Sequence, residues 1–232
     1  MELGRAKLLL MPRAHPQPAL QDYLKAIYQV TESRGGEPAN TKAIATRLGV
    51  SQPSVSAMLD RMAADGQVDY VHYAGASLTR KGRRAALRVI RRHRLLELYL
   101  ERFLGLGWDE VHEEAELLEH ALSARVEAAI DEALGHPTFD PHGDPIPGPD
   151  GSLVRPAWQS LWDSDVTGRV RVARVSDGDP ALLRHLQRLG IVPGATLSSV
   201  RRESGGALRL HVGRREELLG REAAERVYVT RV

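Results

Sequence analysis

The chain contains no cysteine in 232 residues. That excludes disulfides, thiolate metal sites and cysteine catalysis, and it fits a cytoplasmic protein. It also lacks an apolar run of membrane-spanning length, so no membrane partner is expected. The opening "MELGRAKLLLMPRAHP" holds only a short apolar block before Pro12. That is too short for a secretory signal and reads as a loose N-terminal arm. Several catalytic signatures are missing too. There is no HExxH, no paired Glu-x-x-His, no Gly-x-Ser-x-Gly and no Walker-type glycine loop. An enzyme is therefore not expected, and a metal-dependent one is kept only as a remote alternative.

What is present is a globular composition, 42% apolar, at a length that suits two or three small domains. The net charge of +2 conceals a segregation. Residues 1–94 carry 16 Lys+Arg against 7 Asp+Glu, residues 95–142 carry 2 against 12, and residues 143–232 carry 14 against 11. A basic N-terminal part suits a polyanion such as DNA, and an acidic middle suits cations.

Leu20, Leu24, Ile27 and Tyr28 form one apolar helical stripe. "RGGEPAN" breaks it, and Asn40 or Thr41 can cap a second helix through "TKAIATRL". Ser51 can cap a third, with Pro53 in its first turn, that stops at Gly66. "QVDYVHY", "AGA" and "SLTRKG" then read as a short β-hairpin. Helix, helix-turn-helix and hairpin make the layout of a winged helix-turn-helix. One long helix is expected from Lys81 to Phe103 and another from about Trp108 to Leu134. "GHPTFDPHGDPIPGPDG", rich in proline and glycine, reads as a linker or extended loop. "GRVRVARV", "TLSSVRR", "ALRLHV" and "RVYVTRV" read as strands, with a short helix in "DPALLRHLQRLGIVPG". Together they predict a small bent sheet or barrel.

The chemistry concentrates in "EVHEEAELLEHAL". At 100° per residue, His112, Glu116, Glu119 and His120 span about 100° of one helix face. Val111, Ala115, Leu118 and Leu122 form the apolar stripe beside them. His93 and Glu97 stand at i, i+4 on the preceding helix. A solvated face with ordinary i, i+4 pairs is the competing reading. Burying several carboxylates without a cation is costly, however. Nitrogen and oxygen ligands without sulfur suit manganese(II), iron(II), cobalt or zinc. A metal-sensing DNA-binding regulator accounts for both the helix-turn-helix and the cluster. A metal-independent winged-helix protein would leave the cluster unexplained.

"DYLKAIYQV", "IATRLGVSQPSVSAMLDRMAADGQV", "LTRKG", "RRHRLLELYLERFLGLGWDEVHEEAELLEH" and "GDPIPG" resemble the diphtheria-toxin-repressor family of metal-dependent regulators. "LRHLQRLGIVPGATLSSV" is similar to that family's FeoA-like domain. The resemblance implies a mainly α fold with a small β domain. A winged helix-turn-helix over 1–80 would be followed by a helical metal-binding and dimerisation domain over 81–142. A linker over 143–160 and a FeoA-like small β-barrel over 161–232 would complete it. It implies a primary metal site of Asp22, Glu116, Glu119 and His120, and a second site of His93, Glu97 and His112. Iron-responsive members have methionine and cysteine at the positions of Asp22 and Glu116. Manganese-responsive members have aspartate and glutamate, so this chain follows the manganese branch, with iron(II) as the other cofactor. Two positions depart from the family pattern. Lys25 stands where manganese regulators have glutamate. Arg174 and Asp177 align with the barrel residues that complete the second site in iron regulators; Asp177 can ligate and Arg174 cannot.

The resemblance further implies a homodimer on a palindromic double-stranded operator, repressing metal-uptake genes. Ser51, Gln52, Ser54 and Ser56 can reach bases or phosphates, and Pro53 a thymine methyl. Equally, Ser51 can only cap and Ser56 only pack. Lys42, Arg47, Arg61, Arg80 and Lys81 are candidate phosphate contacts. Arg88, Arg91 and Arg92 are expected on an exposed basic face, and Trp108, Trp158 and Trp162 in the core.

Overall fold

The computed structural model describes residues 18–154, 156–164 and 168–232. The expected N-terminal arm lies outside them. Two compact units divide the chain, residues 1–86 and 87–232.

The first unit follows its caps. Helix α1 (Pro18–Ser33) buries Tyr23, Leu24, Ile27 and Tyr28. Helix α2 (Thr41–Leu48) starts where Asn40 accepts the Ala43 amide, and ends at Gly49 in the left-handed region. Helix α3 (Gln52–Ala64) starts where the Ser51 hydroxyl accepts the Ser54 amide. Each such cap satisfies a backbone donor that the first helical turn cannot. Strands β1 (Val68–Val71) and β2 (Gly75–Leu78) form the antiparallel hairpin. Ala39 bridges to Ala76 beside it. Gly82, just beyond the hairpin, sits where a Cβ would lie 1.9 Å from the Gln67 carbonyl oxygen, so no other residue fits that approach. The helix-turn-helix and wing of the sequence reading are both present.

The second unit is built on α4 (Arg80–Leu104), whose first residues belong to the other unit. The single long helix expected from Trp108 to Leu134 is two helices, α5 (Val111–Leu118) and α6 (Ala124–Ala133). Ser123 breaks it: its backbone is extended and its hydroxyl accepts the Val126 amide, starting a new helix. Leu95, Leu98, Val111, Ala115, Leu122 and Ile130 pack as one core across these helices. Leu118, placed in the apolar stripe from sequence, is exposed in the single chain.

A six-stranded sheet follows, in the order β3-β8-β4-β5-β6-β7. Its strands are β3 (Gln159–Ser160), β4 (Val170–Val175), β5 (Thr196–Arg202), β6 (Ala207–Val212), β7 (Arg215–Gly220) and β8 (Val227–Arg231). Helix α7 (Pro180–Leu189), capped by Asp179, lies between β4 and β5; α8 (Arg221–Glu225) precedes β8. The closed barrel expected from sequence is not formed. Register shifts in β4 and β5 bend the sheet, but β3 and β7 stay as separate edges and the sheet is open. Trp108 joins Leu161, Val172, Leu183, Leu186 and Leu197 in the sheet's core. Of the other two tryptophans, Trp162 packs against that core half-buried, and Trp158 is half-buried beside Phe139. No helix among the described residues is long and apolar enough to cross a membrane.

Candidate metal centre

Helix α4 carries opposite chemistry on neighbouring residues. Arg91 is buried and pairs with Glu127 at 3.3 Å and Asp131 at 2.9 Å, and donates to the Pro147 carbonyl. Arg92 pairs with Glu127 at 2.9 Å. The exposed basic face expected there is therefore corrected for both: α6 supplies the carboxylates that bury them. Arg88 alone of the three is exposed.

His93 and Glu97 face the other way and are buried. The His93 Nε2 atom lies 2.9 Å from Glu97 Oε1 and 3.1 Å from His112 Nδ1. His112 Nδ1 lies 3.1 Å from Glu97 Oε1 and 3.4 Å from Asp177 Oδ2. Separations of about 3.0–3.5 Å are those of neighbouring ligand atoms around an ion held at about 2.0–2.2 Å. One ring proton cannot serve all these contacts at once, so the group is crowded for hydrogen bonding yet well spaced for a cation. His93, Glu97, His112 and Asp177 thus converge as a group that could hold a metal ion. Asp177 arrives from the segment between β4 and α7. Arg174, aligned beside it, turns instead to Asp144 at 2.7 Å and stacks on Tyr228.

The electrostatics agree. The Asp177 and Glu97 carboxylates hold the His112 ring protonated, raising its pKa to about 10. Burial would raise Glu97, but His93 and His112 outweigh it and bring Glu97 down to about 2. Burial likewise opposes ionisation of Asp177, and His112 reverses it, leaving Asp177 below the usual carboxylate range. Without a metal, the proton on His112 supplies positive charge beside Glu97 and Asp177.

The second ring nitrogen of His93 reaches the other candidate ligands. Nδ1 is 2.7 Å from Glu119 Oε2 and 4.0 Å from Glu116 Oε1. Glu119 is fully buried, and His120 Nε2 lies 3.7 Å from its other oxygen. Glu116 sits at the end of α5, while Glu119 and His120 lie in the turn that follows it. Asp22 is on α1 of the first unit, half-buried. Lys25 on the same helix is buried.

Sequence reasoning missed the loop beyond α6. Asp140, His142 and Asp144 are buried. Arg94 pairs with Asp144 at 3.0 Å and Asp140 at 3.5 Å, and donates to the Pro145 carbonyl. The stretch read as linker or extended loop is packed at this end. The available signal was "DPHGD", three titratable residues in five, downstream of Arg91 and Arg94.

On the DNA-reading side, Ser51, Gln52, Pro53 and Ser54 at the start of α3 are exposed. Ser51 also caps, and its hydroxyl lies 2.8 Å from that of Ser54. Ser56 accepts a 3.4 Å bond from Tyr70. Lys42, Arg61 and Arg80 are exposed. Arg47 donates to Gln29, and Lys81 donates to the Asp65 carbonyl.

The comparisons with known proteins agree with this architecture. Residues 17–76 match the iron dependent repressor N-terminal DNA binding domain. Residues 79–148 match the iron dependent repressor metal binding and dimerisation domain, and residues 160–231 the FeoA domain. The iron-dependent repressor IdeR of Mycobacterium bovis is 36% identical over 223 residues, 90% of this chain and 96% of its own length. The HTH-type transcriptional regulator MntR of Oceanobacillus iheyensis is 38% identical over 108 residues, 47% of this chain and 71% of its own. Among solved structures, a manganese-dependent transcriptional repressor in complex with manganese superposes with a TM-score of 0.82 at 42% identity. It covers 92% of this chain and 100% of that one. With its winged helix-turn-helix, ligand-rich helical segment and FeoA-type sheet, the chain belongs to the iron-dependent repressor family.

Proposed function

We propose that the protein is a metal-dependent DNA-binding repressor that responds to manganese(II), with iron(II) as the second candidate. The observation that carries this is the convergence of His93, Glu97, His112 and Asp177 at ligand spacing around buried carboxylates. Carboxylate and imidazole ligands without sulfur suit manganese(II). The similarity to a manganese-dependent repressor at 42% identity points the same way. The aspartate and glutamate at positions 22 and 116 follow the manganese branch.

Three modules carry the activity: residues 1–80 read DNA, 81–142 hold metal and dimerise, and 161–232 form the FeoA-like part, joined by 143–160. Glu116, Glu119 and His120, with Asp22 from α1, make the primary set. His93, Glu97, His112 and Asp177 make the ancillary set. A bound divalent cation supplies the charge that lets these carboxylates share one position. Because Asp22 belongs to the DNA-reading module and its co-ligands do not, their common ligation restricts how that module is held. DNA affinity then gains the free energy by which metal distinguishes the restricted state from the loose one. In a homodimer the two α3 helices would enter successive major grooves, roughly 34–36 Å apart on a palindromic site. Ser51, Gln52, Pro53, Ser54 and Ser56 would face the bases. Lys42, Arg47, Arg61, Arg80 and Lys81 would lie near phosphates, and Lys81 would have to leave the Asp65 carbonyl to reach one.

The test is duplex binding with manganese(II) or with chelator, on DNA selected from random sequence by the manganese-loaded protein. Binding is expected only with metal, and to weaken steeply with salt. Equal binding in chelator would mean a metal-independent winged-helix protein.

A further inference from the structure

Behind the ancillary set lies a second group of ligand-type side chains that the proposed function does not use. Glu97, Asp140 and His142 each offer one ligand atom within 4.8 Å of the others, and all three residues are buried. One atom on each has no hydrogen-bond partner: Glu97 Oε2, Asp140 Oδ2 and His142 Nδ1. Such orphans are rare in folded proteins and call for an occupant.

The histidine shows which kind. His142 Nε2 lies 2.6 Å from the Trp108 carbonyl oxygen. A carbonyl only accepts, so Nε2 carries the proton and, in the neutral ring, Nδ1 presents a lone pair. A ring oriented by donating its far N–H to a backbone carbonyl is the usual support of a metal-bound histidine. His142 is stacked on Trp108 at 5.8 Å, and its own carbonyl accepts the Val175 amide. Asp140 is fixed as firmly. Its Oδ1 accepts the amides of His142 and Asp144, which leaves Oδ2 for another partner. Arg94 Nε is 3.5 Å from that oxygen. Gly143 lets the loop press on β4, where a Cβ would come within 2.0 Å of the Ala173 carbonyl oxygen.

Three acceptors therefore converge on one buried point. A water has two protons to give and leaves one acceptor unserved. A proton on Asp140 serves a single pair. A divalent cation serves all three and offsets two buried carboxylate charges. Glu97 Oε1 faces His93 and His112 and also lies 3.9 Å from His142 Nδ1, and its Oε2 has no hydrogen-bond partner, so Glu97 can bridge the two groups.

We propose that Glu97, Asp140 and His142 hold a further divalent cation, distinct from the primary and ancillary positions, with Glu97 bridging it to the ancillary set. Two oxygens and one imidazole nitrogen suit manganese(II), iron(II), cobalt(II) or zinc(II), with water completing the shell. The ligand atoms close from within 4.8 Å to about 3.0–3.5 Å around an ion of that size.

Cobalt(II) is the probe. Crystals of the full chain are saturated with it, anomalous difference maps are recorded at the cobalt edge, and bound equivalents are counted by native mass spectrometry. A peak between Glu97, Asp140 and His142 is expected, and Asp140→Asn should lose that one equivalent per chain. Asp140→Asn keeps Oδ1 for the two backbone amides, and its melting curve in chelator checks that it folds. His142→Gln is the second variant and should lose the same equivalent. His93→Ala should weaken the ancillary peak and leave the inner one. A saturated map with peaks elsewhere and none at this position would overturn the proposal, as would unchanged equivalents in both variants. An inner peak in a protein whose DNA binding ignores metal would count against the proposed function and leave this site standing.

Discussion

Two sides of helix α4 handle buried charge in different ways. On one, Arg91 and Arg92 meet Glu127 and Asp131 from α6, and the charges close within the protein. On the other, His93 and Glu97 meet His112, Asp177, Glu119 and, deeper, Asp140 and His142. There Asp140 has Arg94 at 3.5 Å, while Glu97 and Asp177 meet the imidazoles of His93 and His112. A buried charge with a dedicated arginine is architecture. A buried carboxylate matched only by a titratable ring is a place where a metal can replace a proton. The contrast separates arginine-paired residues from candidate ligands along one helix, between positions 91 and 97.

The comparison breaks most sharply at Arg91. Arg91→Met leaves Glu127 to Arg92 and Asp131 to His136, and is expected to cost about 3 kcal/mol in urea unfolding, with or without chelator. A loss confined to the metal-loaded protein would place Arg91 with the ligands instead. The metal side responds in the opposite sense. Wild type should gain about 2.7 kcal/mol on adding manganese(II) at a hundredfold excess over Kd. His93→Ala should keep only part of that increment, whereas Arg91→Met keeps all of it. Differential scanning calorimetry of the three proteins, each with metal and with chelator, reads both. The smallest effect lies away from α4. Ser51→Ala removes the α3 cap and should cost about 1 kcal/mol whatever the metal. If it also lowers DNA affinity beyond that loss, Ser51 contacts the duplex as well as capping.

Much of this was legible in the sequence, and the failures share a cause. Asn40 and Ser51 announce their helices because a cap is a local event. His93, Glu97 and His112 were legible because helical spacing places them on definable faces. The break at Ser123 was not, since Leu122, Ile130 and Leu134 continue an apolar pattern across it and only the cap reveals the turn. Arg91 and Arg92 were misplaced because their partner Glu127 lies 35 or more residues away, and arginines in a basic run look solvated. Asp140 and His142 were hidden by proline and glycine, whose composition reads as loop whether the loop is exposed or packed. The open sheet was missed because strand pattern fixes neither closure nor edges: β7 and the short β3 carry too little pattern to show where the ladder ends.

The most direct test is DNA affinity as a function of free manganese(II) in wild type and His120→Ala. His120 is outside the ancillary set and the Arg91 network, and the account makes it a primary ligand. Wild-type affinity is expected to rise about 10- to 100-fold across the titration, the usual range of such coupling. The His120→Ala protein, still dimeric, should show a flat response at its low starting affinity. A rise in His120→Ala equal to that of wild type, or a flat wild type, would contradict the account.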